Sequence, residues 1–338
     1  MNVVWFWVLA AMLTAYAVLD GFDLGVGALH VWIARGDGER RVALNSIGPV
    51  WNGNEVWLIA AGGMLVASFP RVYAAGFSGF YLALMVVLWL LILRGVSIEF
   101  RGQFANPLWR AFWDGCFTVG SLLLALLLGV ALGNVLRGLP IDERGQFSGS
   151  FGLLLNPYSL LTGILAVAVL AWHGANYLAT KSEGALYARA RRWSAVLLWA
   201  VIALVAASTA ATFALRADLR PHFDRRPCFY AFPALALASL AAGVWARRGD
   251  RARAAFRAST SAIVGLLGAA AASVFPALLR STIAPEYSLT VDNAASTPHA
   301  LLSAFLANVV GMIAVVVYSV YVHRTFRGTV RIDDEHGY

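Results

Sequence analysis

The sequence predicts an all-α, polytopic membrane protein, and three observations carry that prediction. Hydrophobic residues make up 60% of the chain and charged ones only 13%, where a soluble domain has about 25% charged. Apolar stretches of about 20 residues recur along the 338-residue chain, the length that crosses a hydrocarbon core about 30 Å thick. The stretches are continuously apolar rather than alternating, which excludes a membrane β-barrel.

Nine spans are expected. The first, Val3–Ile33, is too long for a signal-peptide core, and no Lys or Arg precedes it, so it is not expected to be cleaved. The second, Ile47–Phe69, opens on the polar run Trp51-Asn52-Gly53-Asn54-Glu55-Val56-Trp57 and stops before Pro70. The third and fourth are Gly76–Leu93 and Asp114–Leu136. Gly138 to Pro157 is the longest soluble-looking piece, Gly-rich and irregular. Then come Ser159–Ala179, Ser194–Leu215, Phe229–Trp245, Ser259–Leu279 and Ala300–Val322, joined by short loops. Gly62-Gly63, Gly76 and Gly79 are expected to allow close helix packing.

Lys and Arg residues set the expected orientation. The loops after spans 1, 3, 5 and 7 plus the C-terminal tail hold 18 of them, and the other side holds 8. This puts the N-terminus outside and the C-terminus in the cytoplasm. The loop from Arg216 to Arg226 opposes that trend with four arginines. The formal net charge of +8 thus reflects insertion topology, and no nucleic-acid partner is expected.

The acids inside the spans point to function, because intramembrane ionisable residues are costly and usually line a bundle interior or a proton path. Asp20 and Asp23 sit at i, i+3 on one face of span 1, roughly 15–20 Å from its inner end at 1.5 Å per residue. Glu55 lies roughly 12 Å above the start of span 2 by the same rise. Arg94 and Glu99, at the inner end of span 3, are within reach. Such a set can load and release protons near neutral pH; alternatively the acids pair with Arg94 and bridge helices. Asn52 and Asn54 are expected to hydrogen-bond between helices.

The remaining chemistry-bearing residues carry less. His30, His173 and His299, with Met12, Met64, Met85 and Met312, raise haem ligation. No two histidines repeat at the roughly 13–14 residues that would align them on one helix face, so interfacial or hydrogen-bonded roles are expected. Trp172 to Tyr177 with Lys181 suits a membrane boundary, with a quinone or lipid contact as a further option. Cys116 and Cys228 share no metal-ligand spacing, and no metal site is expected.

Several segments together resemble one family. They are Val18–Gly27 (VLDGFDLGVG), Arg40–Pro49 (RRVALNSIGP), Trp51–Trp57 (WNGNEVW), Phe69-Pro70, Phe77–Tyr81, Arg94–Arg101, Leu155-Asn156-Pro157 and Ser288–Ser296. The chain resembles subunit II of the cytochrome bd-type quinol oxidases along essentially its whole length, in the short form typical of the cyanide-insensitive branch.

The resemblance implies a bacterial cytoplasmic (inner) membrane complex that reduces O2 to water with quinol electrons. It implies two four-helix bundles plus a peripheral helix. Residues 1–137 would form the first bundle, 138–158 an extracytoplasmic loop and 159–279 the second bundle. Residues 280–338 would be a loop, the peripheral helix and a cytoplasmic tail. It implies no haem, redox centre or catalytic residue in this chain. A heterodimeric partner, subunit I, would hold haem b with haem d or further haem b and oxidise the quinol. Small single-span subunits are further candidate partners. Asp20, Asp23, Arg94 and Glu99 fall on polar positions of the family's proton-handling region, and Trp57 on a position beside a hydrophobic O2 route. The chain departs from the family at Asn52, commonly Asp, which throws the charge onto Glu55. Two rivals stand beside this reading: a proton- or ion-coupled transporter, and a purely structural scaffold.

Overall fold

A computed structural model describes residues 1–330. Thirteen α-helices occupy most of that length. They are α1 (Asn2–Ile33), α2 (Asp37–Ile47), α3 (Trp51–Ser68), α4 (Pro70–Gly79), α5 (Tyr81–Arg101), α6 (Pro107–Arg137) and α7 (Phe151–Leu154), followed by α8 (Pro157–Lys181), α9 (Gly184–Leu215), α10 (Leu219–Asp224), α11 (Ala231–Arg248), α12 (Ala252–Val274) and α13 (Pro298–Thr325). A two-stranded antiparallel ribbon, β1 (Ala277–Leu279) with β2 (Leu289–Thr290), is the only named sheet among the described residues. The expected tail from Arg331 onward lies outside them.

Among the described residues, eight helices are long and apolar enough to cross a membrane. The polar start of α3 keeps it below that hydropathy, yet it lies along α1. Asn54 bonds to Leu19 and Asp23, Trp57 and Ala61 pack with Met12 and Tyr16, and Phe69 joins Trp5 and Phe6. Rising numbers on α3 meet falling numbers on α1, so the two run antiparallel. Helices α1, α3, α5 and α6 pack together, as do α8, α9, α11 and α12. The groups meet where α8 crosses α1 and α6.

Small residues set the close approaches. A Cβ on Gly25 would lie 1.9 Å from the Leu170 carbonyl oxygen, and one on Gly174 2.3 Å from the Gly25 carbonyl carbon. Only glycine permits α1 and α8 to touch there. Gly129 and Gly163 do the same between α6 and α8. The packing role expected of Gly62-Gly63 is not found, because a Cβ on either would meet open space.

Helix α13 is peripheral. It packs on α3 and buries only Leu301, Asn308 and Val322. Its start lies beside the start of α1, where Trp5 Nε1 donates to the Leu301 carbonyl (3.0 Å), and its end joins Leu29 and Ile33 in one apolar cluster. Met1 and Thr325 are therefore at opposite ends of the molecule.

Several boundaries differ from expectation for local reasons. α6 starts at Pro107, not Asp114, because the Asn106 side chain caps it by accepting from Leu108 N at 2.8 Å. Asn156 and Thr297 likewise cap α8 and α13, each before a proline. The third span is broken at Phe80 into α4 and α5. The eighth ends at Val274, where the chain turns at Pro276 into β1.

Candidate functional site

Asp20 to His30 is buried without interruption, because α1 is enclosed by α3, α6, α8 and α12. Arg94, on α5, reaches into this interior. Its Nη1 donates to Asp20 Oδ2 (2.9 Å) and its Nη2 to Asp20 Oδ1 (2.8 Å). This bidentate pairing fixes direction as well as charge. The same Nη2 donates to Glu55 Oε1 at 2.5 Å. Asp20 and Arg94 are fully enclosed, while 20% of the Glu55 side chain is exposed.

Asp23 is handled differently. The Asn54 amide donates to Asp23 Oδ2 (2.7 Å) and to the Leu19 carbonyl (3.2 Å). Asp23 Oδ1 has no hydrogen-bond partner, nor do the nearby Tyr16 hydroxyl and Trp57 indole nitrogen. Of the predicted residues, Asp20, Asp23, Glu55 and Arg94 converge, and Trp57 packs beside them with Met12, Tyr16 and Ala61. Glu99 does not join them. It follows Arg94 by five residues, which turns it well away from the Arg94 face, and it is exposed. Asn52 is also exposed, on the outer side of α3.

A second buried network escaped the sequence reading. Asp114 accepts from His30 Nε2 (2.6 Å), Arg40 Nη1 (2.9 Å) and Arg101 Nε (2.6 Å). Arg101 and Arg110 both donate to Asp37, at 2.8 Å each, toward the surface. Two signals were available. Asp114 is the only acid in α6, and His30 lies seven residues, nearly two turns, beyond Asp23 on α1. By apolar length alone, Asp114 falls at the edge of a span.

The other histidines have ordinary explanations. His173 Nδ1 pairs with Ser259 Oγ (2.8 Å), its Nε2 pairs with the Val18 carbonyl (3.0 Å), and its ring stacks on Phe256. His299 is exposed at the start of α13. Trp172 and Tyr177 face the interior of the molecule rather than its outer surface, because α8 is the central helix. The Tyr177 ring stacks on Phe22 at 4.0 Å and its hydroxyl donates to the Ser46 carbonyl. Among the described residues no three or more His, Cys, Asp or Glu gather as a metal site. Both His173 nitrogens are engaged, so neither is free for an axial haem bond, and His30 is held by Asp114 through Nε2.

Residues 1–326 match the family described as cytochrome bd terminal oxidase subunit II. The chain is 35% identical to the probable cytochrome oxidase subunit 2 of Haemophilus influenzae, covering 94% of this chain and 92% of that one. It is 35% identical to the cytochrome bd-I ubiquinol oxidase subunit 2 of Escherichia coli K12, over 87% and 86%. The Bacillus subtilis cytochrome bd ubiquinol oxidase subunit 2 is 32% identical, over 88% and 87%. The bd oxidase structure from Geobacillus thermodenitrificans shares the fold, with a TM-score of 0.78, 20% identity, and coverage of 96% of this chain and 98% of that one. The chain belongs to the family of cytochrome bd terminal oxidase subunit II.

Proposed function

We propose that this chain is the haem-free membrane subunit of a quinol:O2 oxidoreductase, and that it conducts protons through the Asp20–Asp23–Glu55–Arg94 cluster. The reading of the complex follows from the family and from relatives described as ubiquinol oxidase subunits. The transporter reading is not taken further, since each relative named above bears an oxidase-subunit description. Haem b, with haem d or further haem b, belongs in this proposal to a heterodimeric partner, which also oxidises the quinol. The chain inserts in the bacterial inner membrane with its N-terminus outside, as the Lys and Arg distribution favours. Small single-span subunits, lipid or quinone would find room on the apolar outer faces of α5 and α13. Residues 1–137 and 159–279 act as the two bundles.

The observation that carries the proton role is that three buried or half-buried carboxyls cluster around one guanidinium, which bonds to two of them. Arg94 bonds to Asp20 and Glu55, and Asp23 lies one turn along α1. A buried site tolerates little net charge. Charge balance therefore assigns exchangeable protons to the two carboxyls in excess. Glu55 alone among the three is partly exposed, so it is the member able to hand a proton across the surface. Trp57, in its apolar pocket beside Met12 and Ala61, would border an O2 route.

Glu55→Gln tests the proposal. It keeps the shape and a hydrogen-bonding head but removes the titrating group. Quinol-driven O2 reduction by the purified complex is expected to slow by about tenfold or more, with haem content unchanged. Full turnover would return Glu55 to a structural role.

A further inference from the structure

We infer that a file of buried side chains along α6 and α1 — Asp114, His30, Thr118 and Ser121 — delivers protons from the Asp37 surface to the Asp20–Asp23–Arg94 cluster. The inference rests on the proton role proposed above and supplies its entry route.

Asp114, Thr118 and Ser121 recur at i, i+4 and i+7 and so share one face of α6. That face meets α1, which runs the opposite way. His30 bonds to Asp114, and Gly27 lies against Ser121 and Phe117. Climbing from Asp114 to Ser121 covers about 10.5 Å, the same as climbing from His30 to Asp23. Ser121 itself packs against Gly27, one helical turn or roughly 6 Å below Asp23, a gap for water to bridge. Its neighbour Gly120 lies against the backbone of Arg94. Glycine at 27 lets Ser121 approach α1 this closely, since a Cβ there would sit 2.1 Å from Ser121 Oγ.

The polar atoms along this seam are unusual. His30, Thr118 and Ser121 are buried, yet His30 Nδ1, Thr118 Oγ1 and Ser121 Oγ have no hydrogen-bond partner, and Asp23 Oδ1 above them has none either. Nine in ten buried polar groups or more find a partner, and each that does not is destabilising. Four in succession between two charged networks do not serve stability. Each can accept a hydrogen bond, and the imidazole and hydroxyl groups can also donate one, which is what proton transfer through bridging water requires. At the lower end Arg101 bridges half-exposed Asp37 and Asp114; a guanidinium keeps its proton, so Arg101 positions the two carboxylates and the proton passes between them through water. The upper end leaves through Glu55.

The same feature makes the test clean. Removing an unpartnered hydroxyl gives up no hydrogen bond within the chain, so Thr118→Val with Ser121→Ala leaves assembly intact or improves it. A structural role therefore expects no loss. The proton file expects O2 reduction by the purified complex to fall about tenfold or more at normal haem content, with a larger solvent deuterium isotope effect. Restoring one hydroxyl through Thr118→Ser in place of Val should recover turnover. Normal turnover in the double variant would overturn the file. If Glu55→Gln still slowed the enzyme in that case, the proton role would stand with another entry; if neither variant slowed it, both would fall. Should the double variant not assemble, Ser121→Ala alone decides by the same readouts.

Discussion

At the residue scale, Asp20 and Asp23 are near neighbours with opposite roles. Asp20 holds both Arg94 nitrogens, whereas Asp23 accepts from the neutral Asn54 amide and keeps one oxygen unpartnered. Asp20→Asn breaks a bidentate buried ion pair, and losing one partner of such a pair costs about 3–5 kcal/mol. The expected outcome is a large drop in recoverable haem-bearing complex. Asp23→Asn breaks no ion pair, so the complex should assemble with normal haem and lose turnover instead. Measuring haem per complex and O2 consumption on both variants separates the roles; equal assembly defects would show that the two acids act as one structural unit. The sequence exposes all three acids, because charge inside an apolar run stands out. It does not reveal which acid Arg94 selects. The i, i+3 spacing puts Asp20 and Asp23 on one face, and only the position of α5 divides them. Glu99 failed to join because helical rotation over five residues outweighs closeness in sequence. Asp114 was missed because its partners, His30, Arg40 and Arg101, come from three separate segments.

At the element scale, the helices were legible and their contacts were not. Apolar length located the spans, and Asn106-Pro107, Asn156-Pro157 and Thr297-Pro298 mark three starts that a reading of caps recovers. A glycine's role depends on what faces it. Gly62-Gly63 face open space, while Gly25 and Gly174 form the crossing of α1 with α8. Gly25→Ala must push a methyl group into the Leu170 carbonyl and so separate α8 from the helix that carries both aspartates. Thermal denaturation of the detergent-purified complex should show a marked loss of stability, against little change for Gly62→Ala. A Gly25→Ala complex as stable as the wild type would mean that the crossing relaxes without cost. The connection leading into α10 offers a milder test. The Arg216 guanidinium bonds to Asp218 through two nitrogens and holds its carboxyl down at about 2, with Arg280 adding to the effect. A carboxyl depressed in the folded state stabilises fully above its ordinary value near 3.9. That contribution fades as pH falls toward 2. Asp218 is 54% exposed, so screening limits the effect to about 1 kcal/mol or less. The stability gap between wild type and Asp218→Asn should be small and constant above about pH 5 and close below it. A gap that widened in acid would contradict the pairing.

At the scale of the whole molecule, orientation decides whether the proton file opens to the cytoplasm. Met1 lies at one end and Thr325 at the other. The His30–Asp114 network, Arg189 with Glu39, and the Arg247–Arg257 stretch occupy the end where α1 finishes. That end carries most of the Lys and Arg, so the orientation proposed above, resting on the positive-inside rule, turns it to the cytoplasm. The opposite end carries the loop beyond α6, the β1–β2 ribbon and α10, tied by Arg216–Asp218–Arg280. The four arginines between Arg216 and Arg226 weaken a pure count, but Arg216 is buried and engaged with Asp218 and with the Leu136 carbonyl, so it is committed to the fold rather than free at the lipid surface. The chain supplies its own reporter. Cys228 is free and exposed at the α10 end, while Cys116 is half-buried on α6. With Cys116 replaced by Ser, a membrane-impermeant maleimide should label Cys228 in intact spheroplasts. Glu143→Cys in the loop beyond α6, made with Cys228 also replaced by Ser, provides a second site at the same end. Labelling that required permeabilised membranes would invert the molecule. The Asp37 surface would then face outward, and a file ending there would draw the protons for water formation from the wrong side of the membrane.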